Sequence, residues 1–275
     1  MRHGWSLAFV LLLGTALSAQ EGPAAVERRG AFDQILDTYV RDGYVYYHAL
    51  QVDRGKLDRY VAQLGTVHAA DLPEPARLAF WLNAYNAIVL QTVIDHYPVP
   101  RRTTDYPAHS IRQVPGAFER LTHQVAGRRL TLDEIEQTVL PAFHDPRVYF
   151  AIGRGAVGGG RLRSEAFSAE VLESQLSEVA RECVTRPVCV HVDSAADALA
   201  ASAIFSWRES DFVSAYAGRA LPVYASRSGI ERAVLAFVEP ALLASERAFL
   251  ARNTFHVAYS PFDWSLNDLA GRGGR

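Results

Sequence analysis

Few side chains in this 275-residue chain have the type and spacing that chemistry needs. Cys183 and Cys189 bracket Val-Thr-Arg-Pro-Val. That spacing is not the Cys-x-x-Cys of a redox pair and suits a short structural disulfide. Gly153, Gly155 and Gly158 match the Gly-x-Gly-x-x-Gly of dinucleotide loops. However, Gly159 and Gly160 intervene before any helix, and no βαβ alternation follows, so the match reads as chance. The same loop carries Arg154, Arg161 and Arg163, whose forked donors suit carboxylate or phosphate, while consecutive glycines can aim N–H groups at one point. An anion-binding pocket is the functional expectation, and a flexible loop with solvated arginines the bland one. Asn83 and Asn86 lie one helical turn apart, flanked by Trp81 and Tyr85. Either they line a pocket, or they bond to backbone and tie their helix to the turn at 263–267. Nine histidines, among them His48, His96, His109, His123, His144, His191 and His256, form no His-x-x-x-His or Cys/His cluster, so neither metal nor cofactor is expected. No Gly-x-Ser-x-Gly turn is present to expose a serine nucleophile.

The element that must position these groups is the stretch 76–98, apolar nearly all round, which predicts a helix buried in a large core. Pro73 and Pro75 mark its start, and Pro98 disfavours helix at Tyr97. A membrane span of that length would have to accommodate Asn83, Asn86, Gln91, Asp95 and His96, so a buried soluble helix is the better reading. Helical periods precede it at 32–40 and 53–64, with strand formers at 44–47. Residues 98–116 form a polar, proline-containing connector long enough to cover a site. Two short strands are expected within 121–130, turning at Ala126 and Gly127. A Thr131/Glu134 capping box then opens a helix to about Leu140. Next come a β-rich run at 147–152, an amphipathic helix capped by Ser168, a strand at 188–192 and a possible strand at 203–207. Helices at 211–216, 229–237 and 240–251, a strand at 256–259 and a turn at 262–267 complete the chain. The whole reads as α+β: a mainly helical single domain, 30–268, around a buried central helix with a small sheet of short strands.

Composition is that of an ordinary globule, 49% hydrophobic and 21% charged with formal net charge −2. Phosphate binding needs a concentrated basic face, so nucleic acid is not an expected partner. Residues 1–19 pair a short positive start with an apolar run and small residues near Ala19, the pattern of a secretory signal peptide. An exported protein, periplasmic or secreted, with no integral membrane segment after cleavage is therefore expected. Residues 20–29 read as a loose tether and 269–275 as a disordered tail.

Several stretches together resemble the domain-of-unknown-function 547 family. These are Phe80-Trp81-Leu82-Asn83-Ala84-Tyr85-Asn86-Ala87, Leu130-Thr131-Leu132-Asp133-Glu134-Ile135-Glu136, Asp145-Pro146-Arg147, Phe150-Ala151, Leu162-Arg163, Gln175-Leu176 and Asp263-Trp264-Ser265-Leu266-Asn267. They occur in the family's order over roughly 32–267. The resemblance implies two cysteines where this chain has Arg154 and Gly159, and histidines where it has Gln137 and Tyr149. An early Val-Asp-Tyr appears here as Val45-Tyr46-Tyr47. If the family works as a Cys–His hydrolase, this chain lacks both nucleophile and base. The expectation is thus a ligand-binding or scaffold role with the thiol chemistry lost, for a small anionic ligand or a protein partner. Trp81, Asn83, Tyr85, Asn86, Gln137, Tyr149, Asp263 and Asn267 are the pocket candidates. The alternative is an active hydrolase or transferase with a rearranged set such as Tyr149, Gln137, His144 and Asp263.

Overall fold

The computed structural model describes residues 22–270; the expected signal peptide and the last five residues lie outside them. In chain order the elements begin with α1 (Pro23–Tyr39), β1 (Val40–Arg41), β2 (Tyr44–Val45), α2 (Tyr47–Val52), α3 (Gly55–Leu64) and α4 (Glu74–His96). They continue with β3 (His123–Val125), β4 (Arg128–Leu130), α5 (Leu132–Glu134), α6 (Val148–Ala151), α7 (Leu172–Thr185), β5 (Val190–Asp193) and β6 (Ala198–Ser202). The last are α8 (Ala203–Trp207), α9 (Glu209–Tyr216), α10 (Gly229–Val238), α11 (Ala244–Leu250) and β7 (His256–Ser260). This is a mainly helical α+β fold with small sheets.

Helix α4 is its axis. Every residue from Leu78 to Leu90 is buried, and Tyr97 adopts the extended geometry that a following proline imposes. Helices α2 and α3 pack along it, and α5 meets it from another side. No helix among the described residues is long and apolar enough to cross a membrane. A second apolar centre is aromatic. Phe150, Phe205, Phe212 and Phe237 bring α6, α8, α9 and α10 together with ring centroids 4.6–5.9 Å apart.

The hairpin β3–β4 turns at Ala126 and Gly127, both at positive φ, and the Thr131/Glu134 capping box opens α5. After α5 the helix widens to a π turn over Ile135–Val139. In the three-stranded sheet β5 runs antiparallel to β6, while β7 pairs parallel to β6 after the long helical crossover α8–α11. Cys183 and Cys189 are bonded, closing the turn between α7 and β5. A loop that short contributes about 2 kcal/mol in the chain-entropy account.

Three local expectations are corrected. Residues 147–152 form not a strand but the helical turn α6, which begins where the Asp145 carboxylate accepts the Arg147 N–H. The strand precedes 203–207 rather than occupying it, because the Ser202 hydroxyl caps the Ile204 N–H and starts α8. Ser168 does not cap α7; its N–H goes to the Gln175 side chain, and the helix starts at Leu172.

Helix α1 begins at Pro23, well before the period that sequence suggested at 32. Arg29 lies 3.9 Å from Asp33 and 3.7 Å from Glu170, and Arg28 sits over the Phe80 ring, which fastens the early turns. Gly30 stands mid-helix with open space where a Cβ would go. Gly30→Ala is therefore expected to stabilise the protein by about 0.5–1 kcal/mol, read as a raised denaturation midpoint.

Candidate functional site

The two amides of α4 act on backbone. Asn83 donates to the Phe167 carbonyl and accepts from the Phe167 N–H, both at 2.8 Å. One turn on, Asn86 donates to the Ala151 carbonyl (3.1 Å) and accepts from the Gly153 N–H (2.9 Å). Their tie is thus to the two ends of the glycine-rich loop, not to 263–267. Asn267 makes a separate stitch, accepting from the Tyr47 hydroxyl at 2.7 Å and donating to the Gly43 carbonyl at 2.8 Å. Asn86→Ala would orphan a buried N–H and a buried C=O together. A loss of about 2–4 kcal/mol in chemical denaturation is expected.

Beyond Asn86 the core turns ionic. Arg154, at positive φ and 2% exposed, reaches Glu136 through Nε (3.1 Å) and Nη2 (2.7 Å), and its Nη1 donates to the Tyr149 carbonyl (2.9 Å). Tyr85 donates its hydroxyl to Glu136 at 3.1 Å. Arg208 donates to the Glu136 main-chain carbonyl and lies 3.6 Å from its carboxylate. Burial alone would push the Glu136 carboxyl up, but Arg154 and Arg208 outweigh it and hold it below the ordinary carboxylate range. The Arg208 guanidinium also covers the Tyr149 ring at 4.2 Å, and Tyr149 donates to Asp211 at 2.6 Å. Burial, then that bond, pushes the Tyr149 phenol well up, so it stays neutral.

The anion-pocket expectation is corrected here. Arg154 is locked to Glu136, Arg161 meets Asp42 and Glu182 at 2.9 Å each, and Arg163 meets Glu165 (2.5 Å) and Glu178 (2.8 Å). Three guanidinium groups that looked available to a ligand answer carboxylates of their own chain. Nor do the glycines form a nest: Val157 N–H bonds to Ser265 and Gly158 N–H to Asp263. The glycines are needed for close approach. A Cβ on Gly158 would lie 2.6 Å from the Asp263 nitrogen, on Gly159 2.5 Å from the Gly153 oxygen, and on Gly160 1.7 Å from the Phe150 oxygen.

The rearranged catalytic set does not assemble. Gln137 is exposed beside the buried Glu136, whereas Trp81 and Tyr85 are core residues. His144 and Tyr149 share a cavity of about 50 Å³ with Asp211. Asp263 lines a different and much larger cleft, about 720 Å³, with Tyr97, His109, Val157, Ser265 and Asp268. In that cleft His109 is held at positive φ with Nδ1 2.7 Å from the Val99 carbonyl. A carbonyl only accepts, so Nδ1 carries the proton of this bond and Nε2 is left uncommitted. Asp263 accepts the Ser265 N–H (2.9 Å), and Asp268 accepts the Tyr97 hydroxyl (2.7 Å) and the Ala270 N–H (3.1 Å). Burial and Asp268 together raise the Tyr97 phenol to about 12. Sequence reasoning passed over Tyr97 and Asp268 and set His109 among isolated histidines; its one usable signal was the long connector 98–116. Among the described residues no group of three or more His, Cys, Asp or Glu side chains gathers as a metal would require.

Residues 69–184 match the family described as protein of unknown function, DUF547. The match supports membership of the DUF547 family. The matched stretch runs from the turn before α4 through α7, so it includes Asn83, Asn86, Glu136, Tyr149 and Arg154. Arg208, Asp211 and the Asp263–Asp268 side of the cleft lie beyond it. In DUF547 terms, the pinned glycine loop and the Glu136–Arg154 pair are within the family region, and the cleft is shared with the C-terminal segment. No curated protein and no solved structure matches the chain.

Proposed function

We propose that this DUF547 member is an exported ligand-binding protein in which the family's thiol chemistry has given way to an internal ion pair. One observation carries the reading: Arg154 stands where resemblance to the family places a thiol, and it is buried and bonded to Glu136 and to the Tyr149 carbonyl. A guanidinium fixed in that way is neither nucleophile nor base. Export is supported by the composition of residues 1–19 and by the disulfide between Cys183 and Cys189. The cleft between the connector after α4 and residues 263–268 has the volume of a small-molecule site. Its two aspartates favour a neutral or positively charged ligand over the anion that the arginine-rich loop suggested.

Purified protein lacking residues 1–19 should turn over no member of a fluorogenic ester, amide and thioester panel. Turnover abolished by Tyr149→Phe or Asp211→Asn would overturn this reading in favour of a hydrolase built on the small cavity beside His144.

A further inference from the structure

The cleft presents hydrogen-bond acceptors in excess of donors. Among the described residues, Asp263 Oδ2 and Ser265 Oγ have no hydrogen-bond partner, and His109 commits only Nδ1. Asp268 adds a second carboxylate, and Tyr97 offers a ring already stacked on Tyr47 with centroids 6.0 Å apart. A ligand satisfying this wall brings several O–H or N–H donors and a flat apolar face.

A cluster of aromatic rings is built by residues adjacent in the chain to those of the cleft. Trp207 is 48% exposed, 5.0 Å from Phe262 and 6.3 Å from Trp264, to which it lies nearly parallel. Phe262 and Trp264 are 4.4 Å apart, and Tyr106 meets Trp264 edge-on at 6.1 Å. Arg112 sits 4.5 Å over Trp264 and adds a cation–π contact to the group. The segment 262–265 alternates: Phe262 and Trp264 belong to the platform, Asp263 and Ser265 to the cleft. The connector does likewise, with Tyr106 on the platform and His109 in the cleft, so the same two segments supply both surfaces. Trp207, half in water over the partly buried Phe262 and Trp264, forgoes burial that would stabilise the fold, and an exposed ring of that kind marks a recognition surface.

From this juxtaposition we infer that the cleft and the Trp207–Trp264 platform bind a neutral oligosaccharide. Sugar hydroxyls donate to Asp263, Asp268 and His109, while the C–H face of a pyranose ring lies on Trp207. The inference names the ligand class for the binding role proposed above and rests on it.

The test is titration of the protein with short oligosaccharides of hexoses and of N-acetylhexosamines, followed by tryptophan fluorescence and calorimetry. Binding is expected for at least one of them. Trp207→Ala, at an exposed ring, and Asp263→Asn, which keeps the oxygen that accepts the Ser265 N–H, should each weaken it about tenfold or more, a loss of ~1.4 kcal/mol. Circular dichroism and Tm should be unchanged. No oligosaccharide binding, or binding indifferent to both variants, overturns the inference. A parallel titration with polyamines and choline separates the levels. Amine binding lost in Asp263→Asn overturns the sugar assignment but keeps a ligand in the cleft, whereas turnover in the substrate panel overturns the binding role itself.

Discussion

Glu136→Ala is expected to lower the unfolding free energy by about 3–5 kcal/mol, because it leaves the Arg154 charge buried with no counter-charge in contact. The carboxylate accepts from Tyr85 and twice from Arg154, and Arg208 stands beside it, so one substitution breaks four relationships. Equilibrium denaturation measures the loss. The double variant Glu136→Leu, Arg154→Met should recover most of it, since a well-packed apolar pair often equals a buried ion pair. Acid sensitivity follows with a definite sign. Glu136 is held below its ordinary value of 4.5, so its contribution is complete above that pH and disappears as pH falls through the lowered folded-state value. Stability of Glu136→Gln should therefore fall less steeply than wild type in that acid window.

The second large effect is steric. Gly160→Ala would place a methyl 1.7 Å from the Phe150 carbonyl oxygen, a backbone atom fixed by α6 and unable to swing aside. The cost is expected at or above the roughly 3 kcal/mol upper end for overpacking, with soluble yield reduced. Gly218→Ala, where nothing lies within 4 Å of the new carbon, is the matched control and should be near neutral in the same melt.

What sequence made legible was whatever a single segment decides. Helix α4 announces itself because it is apolar on every face, and the Thr131/Glu134 box and the Ala126–Gly127 turn carry their own local chemistry. Short runs misled. Residues 147–152 and 203–207 hold valine, isoleucine and aromatic residues that suit strands, yet Asp145 and Ser202 cap them as helical turns in contact with the aromatic core. The ionic core stayed hidden for a different reason. Glu136 lies in Asp-Glu-Ile-Glu-Gln, which looks like a solvated helix face, and the π turn helps carry it inward to Arg154. Tyr97, His109 and Asp268 meet only in the fold, so no spacing along the chain could have joined them.

The closing stitch has a consequence for folding. Val45 donates to Asn267 and accepts from Leu269, the Tyr47 hydroxyl reaches Asn267, and Ala156 bridges Leu266. The segment around Val45 and Tyr47 thus closes against partners some 220 residues further along the chain. Until those later residues are in place, the early strand edge stays open and the core around it unsealed. Truncation before residue 262 should therefore yield a chain that proteases digest rather than a shortened native one.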